Sequence, residues 1–296
     1  MITPTHSTAT DAWWHRLVGL DRLMQLTEGN ASVKVGIIDG PVANNVGFQR
    51  HNVTGQPGPY GNWCTANESH ACRHGTMVTG LLAGKRNTAS PGICPGCSIL
   101  VRQLFCEDTH RNTCPIITSR HLAEAIVQLI NAGAKIINMS VGLSDTALTP
   151  HPELTAAFDL AFQKGVLLIA ASGNHGRIGQ LPLFSHAWII PVAACDQTGR
   201  PLANANYSRQ VGASGLLAPG KQIACLDSEG GFANFTGTSV AAPLVTGTTA
   251  LLWSLFPRAR AGRIRQALLH NHSRQRTVIP PLLNAVTSYN FLTKNT

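Results

Sequence analysis

The sequence predicts an α/β fold of three layers, a mainly parallel β-sheet with helices on both faces. Three observations carry the prediction. From residue 33 onward, short runs rich in Val, Ile and Leu alternate with segments of helical periodicity, the pattern of a parallel sheet with helical crossovers. The chain is 296 residues long, with 44% apolar and only 12% charged residues, so it can bury a sizeable core. Several helical segments stop at a glycine, at Gly29, Gly133 and Gly165.

Taken in order, residues 13–27 read as an amphipathic helix, with Trp14, Leu17, Leu20, Leu23 and Met24 on one stripe. Residues 33–38 form a β-rich run ending at Asp39-Gly40-Pro41. A carboxylate at the carboxyl end of an apolar strand is where open α/β sheets place active groups; an aspartate opening a Gly-Pro turn explains the residue equally well locally. Residues 42–73 are polar and rich in Gly and Asn, and read as loops. Residues 73–84 read as a helix of small residues opened by His74. A lone histidine is more often structural, but a helix packed with Gly, Thr and Ala lies close against a neighbour, which puts His74 at the mouth of a crevice.

Residues 99–105 are a strand, and residues 119–132 a helix with Leu122, Ala123, Ile126, Leu129 and Ile130 on one side. A strand over 135–140 runs into Val141-Gly142, and a helix over 152–164 follows. The strand 166–171 ends in Ser172-Gly173-Asn174. A further strand covers 188–194, and 211–227 holds two short strands around Ala218-Pro219-Gly220. Gly237-Thr238-Ser239-Val240-Ala241-Ala242-Pro243 then opens an apolar helix through Leu244, Val245, Leu251, Leu252 and Trp253. Residues 263–270 and 281–292 are expected as surface helices. No repeat, low-complexity segment or linker interrupts the chain, so a single domain over 1–296 is expected, with its core at about 31–257.

Net charge is +9, with Arg258, Arg260, Arg263, Arg265, Arg274 and Arg276 gathered late. A solvated helix face accounts for them first, and an acidic peptide remains open as a partner. No aromatic residues interleave with the arginines, which speaks against nucleic acid. No apolar run approaches the ~20 residues of a membrane helix, and no secretion signal opens the chain, so the chain is expected to be either cytoplasmic or already processed, and a monomer. The eight cysteines pull the other way. Cys64 with Cys72, Cys94 with Cys97, and Cys106 with Cys114 form close pairs, while Cys195 and Cys225 lie farther apart. Two or three local disulfides rank first, free thiols second and a zinc site third.

Three candidates stand in the order Asp39, His74, Ser239. A serine hydroxyl attacks a carbonyl only when a neighbouring base takes its proton. His74 suits that base and Asp39 suits the group that fixes its tautomer. Ser239 falls in the first turn of a helix, where free N–H groups and the positive dipole end favour a developing oxyanion; an N-cap serine is the plainer explanation. Asn174, at a strand end, suits a side-chain donor to the same oxyanion.

Ile37-Ile38-Asp39-Gly40, His74-Gly75-Thr76, Ala171-Ser172-Gly173-Asn174 and the segment from Gly237 to Pro243 resemble the motifs of the subtilisin-like serine proteases, in that family's order. The resemblance runs from about Val33 to Trp253. It implies a serine endopeptidase, with Asp39, His74 and Ser239 as triad and Asn174 at the oxyanion. It implies substrate binding along Ser140, Val141 and Gly142 and along Ala171, Ser172 and Gly173, where a peptide would add as a strand. It implies neither a cofactor nor a catalytic metal. The partner is a peptide or unfolded protein segment. Within the family the chain is most similar to the proteases of cyanobactin maturation, on Gly92-Ile93-Cys94-Pro95, Leu217-Ala218-Pro219-Gly220 and Pro281-Leu282-Leu283-Asn284 among others. That subgroup implies a ribosomal peptide precursor as substrate and leaves an acidic leader peptide open.

Some positions depart from the family pattern. Gly40-Pro41 follows Asp39 in place of the commoner Ser/Thr-Gly, and Met77 stands where many relatives have a second histidine. Lys85 and Arg86 occupy a loop that binds calcium in secreted relatives, so no calcium is expected there. No inhibitory propeptide of the usual size precedes the motifs, in keeping with a cytoplasmic enzyme. A macrocyclase, in which an amine displaces the acyl group, ranks below hydrolysis because the span from Asp39 to His74 leaves little room for a helical lid. A catalytically silent peptide-binding module ranks third, since all four chemical groups are present.

Overall fold

The computed structural model describes residues 13–44, 47–48, 52–58, 60–107, 114, 116–140, 151–270 and 277–294. Among these residues, seven parallel strands form the central sheet: β1 (Lys34–Asp39), β2 (Val53–Gly55), β3 (Ser98–Gln103), β4 (Ile136–Met139), β5 (Leu167–Ala171), β6 (Ile189–Cys195) and β7 (Leu216–Pro219). Their order is β2-β3-β1-β4-β5-β6-β7. Strands β8 (Ile223–Leu226) and β9 (Phe232–Phe235) make a separate antiparallel pair. The helices are α1 (Trp13–Leu17), α2 (Leu20–Leu26), α3 (His70–Ala83), α4 (Ser119–Asn131), α5 (Pro152–Lys164), α6 (Arg209–Ser214), α7 (Thr238–Leu255), α8 (Ala261–Leu269) and α9 (Ala285–Thr293).

From β1 the chain runs to β2 and β3 on one side of it, then crosses back to β4 on the other. Helix α3 packs on one face of the sheet and α4 on the other. Alternate residues of the strands divide accordingly. Val35, Ile37, Ile99 and Val101 pack in one apolar cluster with Met77, Val78 and Leu81 of α3 and Val240, Leu244 and Leu251 of α7. Ile38, Leu100, Ile137 and Met139 pack in a second cluster with Leu122, Ile126 and Leu129 of α4 and Leu154 and Phe158 of α5. Covering both faces removes the need for polar residues on the strands, which is why they read as continuous apolar runs. Helix α7 is apolar all round for the same reason: every residue from Val240 to Trp253 is buried.

Four expectations need correction. The helix expected over 13–27 is broken into α1 and α2 at Gly19, whose φ of 65° only glycine adopts cheaply. Val286 sits 2.8 Å from where a Gly19 Cβ would be, so α9 crosses at the break. The region 42–73 is not all loop: it holds β2 and the start of α3. His74 therefore lies one turn inside α3 rather than at its opening. The cause is Ser69, whose hydroxyl caps the helix by accepting from Cys72 N at 3.1 Å. The strand expected over 99–105 ends at Gln103, and α6 and β9 are additional elements. Helices α8 and α9 are surface helices on one side only, since Ile264, Leu268 and Leu292 are buried.

Candidate active site

The reversal of strand order leaves a crevice at the carboxyl ends of the strands, where open α/β sheets bind ligands. Here it is a cleft of about 750 Å³. Asp39 arrives at the end of β1, His74 from the second turn of α3, Ser140 just after β4, Ala171 and Gly173 at the end of β5, and Ser239 in the first turn of α7; all line this cleft, as does Asn174. Ser172 does not line it; its backbone N–H bonds Val192 O at 2.9 Å and it is buried beside β6. Val141, Gly142, Arg274 and Arg276 fall outside the described residues.

His74 Nδ1 donates to Asp39 Oδ1 at 2.7 Å. The same oxygen accepts from Gly40 N at 2.7 Å, and Asp39 is wholly buried. Burial of the imidazole pulls its pKa down, but the charge of Asp39 and its hydrogen bond outweigh burial and leave the pKa above its ordinary 6.5. The close approach of β1 and α3 depends on glycine. A Cβ on Gly75 would run into Gly40 O and Pro41 O, and one on Gly40 into Ala71 O. The bare backbones therefore touch where the carboxylate meets the ring.

Asn174 is oriented by its neighbour on α7. Its Oδ1 accepts from Thr238 N at 2.9 Å and from Thr238 Oγ1 at 3.1 Å. Since a backbone N–H can only donate, the amide's oxygen is the atom on that side, and the NH₂ is turned to the other. Thr238 Oγ1 also accepts from Gly173 N at 3.1 Å, tying β5 to the start of α7. On the far side of Ser239, its carbonyl accepts from Ser140 Oγ at 3.2 Å.

Sequence reasoning missed three contributors. Thr238 is one, although its place beside Ser239 is a signal that was there to find. His70, one turn before His74, stacks on that ring with centroids 6.1 Å apart and lines the cleft. Glu107 ties the wall of the cleft to the start of α3: its carboxylate accepts from Thr65 N and Thr65 Oγ1 at 2.8 Å, Ala66 N at 3.0 Å and Ser69 Oγ at 3.3 Å. Two disulfides flank this knot, Cys64–Cys72 with Cα atoms 5.6 Å apart and Cys106–Cys114 with Cα atoms 5.9 Å apart. Cys106 and Cys114 themselves wall the cleft. Cys94, Cys97, Cys195 and Cys225 are buried thiols. The sulfurs of Cys64 and Cys72 lie near Glu107 but are spent in a disulfide, so the trio cannot hold a metal while that bond stands. In the loop after α3, the Arg86 guanidinium donates to Met24 O at 2.6 Å, Thr27 O at 3.0 Å and Ile93 O at 2.7 Å.

Comparison with known proteins gives the same reading of fold. The chain is 34% identical over 184 residues to the thermophilic serine proteinase of Bacillus sp. (strain AK1), which covers 61% of this chain and 42% of that protein. It thus spans less than half the length of that relative. Among solved structures, the protease domain of PatA superposes with a TM-score of 0.80 at 32% identity, covering 90% of this chain and 98% of the other. The prenylagaramide maturation protease PagA does so with a TM-score of 0.80 at 30% identity, covering 94% and 99%. The family model of the subtilases matches residues 30–287. Sheet order, cleft and sequence agree with that match, and the chain belongs to the subtilase family.

Proposed function

We propose that the chain is a serine endopeptidase that hydrolyses peptide bonds through Ser239, with His74 as general base and Asp39 as the group that orients it. The observation that carries this reading is the 2.7 Å bond from His74 Nδ1 to buried Asp39, beside a cleft that Ser239 also lines. With Nδ1–H committed to the carboxylate, the basic nitrogen is Nε2. Ser239 Oγ attacks the scissile carbonyl as its proton passes to Nε2. The oxyanion accepts from the Asn174 NH₂ and from the Ser239 N–H, one of the first-turn groups without a helical acceptor. The intermediate collapses to an acyl-enzyme as the imidazolium gives its proton to the departing amine. Water, deprotonated by His74, then repeats the sequence and frees the acid.

The substrate is an extended segment of a peptide precursor. Two structural relatives at 30% identity or more, PatA and PagA, support this, the second being a maturation protease by name. The arginines Arg258, Arg260 and Arg263 on and before α8 offer an acidic stretch of that substrate a place to rest, whereas Arg265 is half-buried and donates to Ala187 O; cleavage of an acidic substrate that ignores salt would remove this part of the reading.

Ser239→Ala is expected to abolish turnover and fluorophosphonate labelling while leaving the melting temperature within a few degrees. Undiminished cleavage by that variant would end the assignment. Profiling a mixed peptide library by mass identifies the bond cut, and each product pair should weigh one water more than its parent. Products without that added mass would mean transpeptidation instead.

A further inference from the structure

Helix α7 lacks one rung at its start. Pro243, inside the helix, has no backbone N–H, and the carbonyl it would have bonded four residues earlier is that of Ser239. The carbonyl of the candidate nucleophile is thus released from the ladder in its own first turn. Ser140 supplies the substitute, its hydroxyl donating to Ser239 O at 3.2 Å. Ser140 Oγ accepts in turn from Asn138 Nδ2 at 2.9 Å. Asn138 Oδ1 accepts from Thr246 Oγ1 at 2.8 Å. Asn138 and Thr246 are wholly buried, and neither is among the residues that line the cleft.

Thr246 behaves unlike the hydroxyls that follow it on the helix. Thr248 turns back to Leu244 O, Thr249 to Val245 O and Ser254 to Ala250 O. Thr246 reaches across to the sheet. There Asn138 sits between Ile37 and Ile169 on the neighbouring strands, an apolar setting in which an unpartnered amide is costly. A donation from Thr246 makes the amide oxygen face α7 and the NH₂ face Ser140. A hydroxyl that already accepts from Asn138 has its single proton to spend, and it spends it on Ser239 O.

From this we infer that Thr246 and Asn138 are positioning residues for Ser239, acting through Ser140 to hold the first turn of α7 where Pro243 has removed the helical bond. The inference rests on Ser239 being the nucleophile. Thr246→Val keeps the volume and removes the proton that sets the amide. It should slow fluorophosphonate labelling of Ser239 and lower kcat by roughly tenfold each, the worth of one or two hydrogen bonds, with KM unchanged. Thr246→Ser should recover most of the loss. Thr246→Ala serves the same comparison should valine fail to pack.

The decisive measurement is a cycle with Pro243→Ala, which returns an N–H to position 243 and hence a helical donor to Ser239 O. In that background Thr246→Val should cost less than about threefold in labelling rate, as coupled residues depart from additivity. An equal loss in both backgrounds would show a general packing effect and overturn the inference. So would a Thr246→Val enzyme that labels at the wild-type rate. In either case labelling of the wild-type chain at Ser239 leaves the nucleophile assignment standing; only label retained by Ser239→Ala would remove that assignment itself.

Discussion

His74 is held between opposed effects: burial pulls its pKa down, and the charge and hydrogen bond of Asp39 pull it up by more. The sign of the net shift makes activity and stability respond to pH in opposite directions. A base must be neutral to work, so the acid limb of kcat/KM should have its midpoint above 6.5. The ion pair's contribution to stability is complete below 6.5 and fades as pH climbs through the higher folded value. Asp39→Asn leaves burial unopposed. It should move the acid limb down in pH while lowering kcat on the order of 10⁴-fold, and a pH–rate series on both enzymes checks the pair of effects. Asn174→Ala should cost about 100- to 1000-fold in kcat. Thr238→Val leaves the donation from Thr238 N to Asn174 but removes the hydroxyl that bonds Asn174 and accepts from Gly173 N, so a loss below that of Asn174→Ala is expected in kcat. Asp39, His74, Ser239 and Asn174 are legible in sequence because each follows an apolar strand or lies near a helix start. Glu107, Asn138 and Thr246 are not, because the bonds from Glu107 to residues 65–69 and from Thr246 to Asn138 join positions far apart in the chain that only folding pairs.

Among elements, the contact between β1 and α3 decides whether the imidazole reaches the carboxylate. Gly75→Ala would thrust a methyl group into the carbonyls of Gly40 and Pro41. A loss of about 1–3 kcal/mol is expected from that overpacking, together with a loss of activity larger than the stability change explains. Denaturant unfolding and steady-state rates on one sample separate the two. The elements legible in the sequence are those whose burial dictates their pattern. β1, β3–β7 and α7 are covered on all sides and read as apolar runs, while α4 and α5 show one apolar side. Illegible are β2, with three residues of which only Val53 is buried, and β9, whose side chains remain exposed or half-exposed. Helix α6 has six residues and rests on the cap that Ser208 gives Val211 N. Short elements of this kind are fixed by neighbours, and periodicity carries no trace of them. The break at Gly19 is the same lesson reversed: one stripe continues across it because both short helices face one core.

The whole molecule is stapled on the side of the cleft that carries α3. Each disulfide closes a loop with a sequence separation of 8, a constraint worth about 2.5 kcal/mol in the chain-entropy account. Cys114 is exposed, whereas Cys72 is buried, so a thiol reagent should open Cys106–Cys114 first and lower the melting temperature in two steps. Maleimide counting reads the connectivity. With no reductant the folded chain should react slowly, the unfolded chain should show four thiols, for Cys94, Cys97, Cys195 and Cys225, and reduction should raise the count to all eight. Helix α7 has a further consequence for heat inactivation. Its first turn presents the reactive alcohol, and the turns behind it are embedded from Val240 to Trp253. Enzymes whose working groups ride on peripheral loops fade before they melt. In this one the warhead is the tip of the keel, so residual cleavage and near-ultraviolet dichroism should decline along one curve, with no dormant but folded species in between.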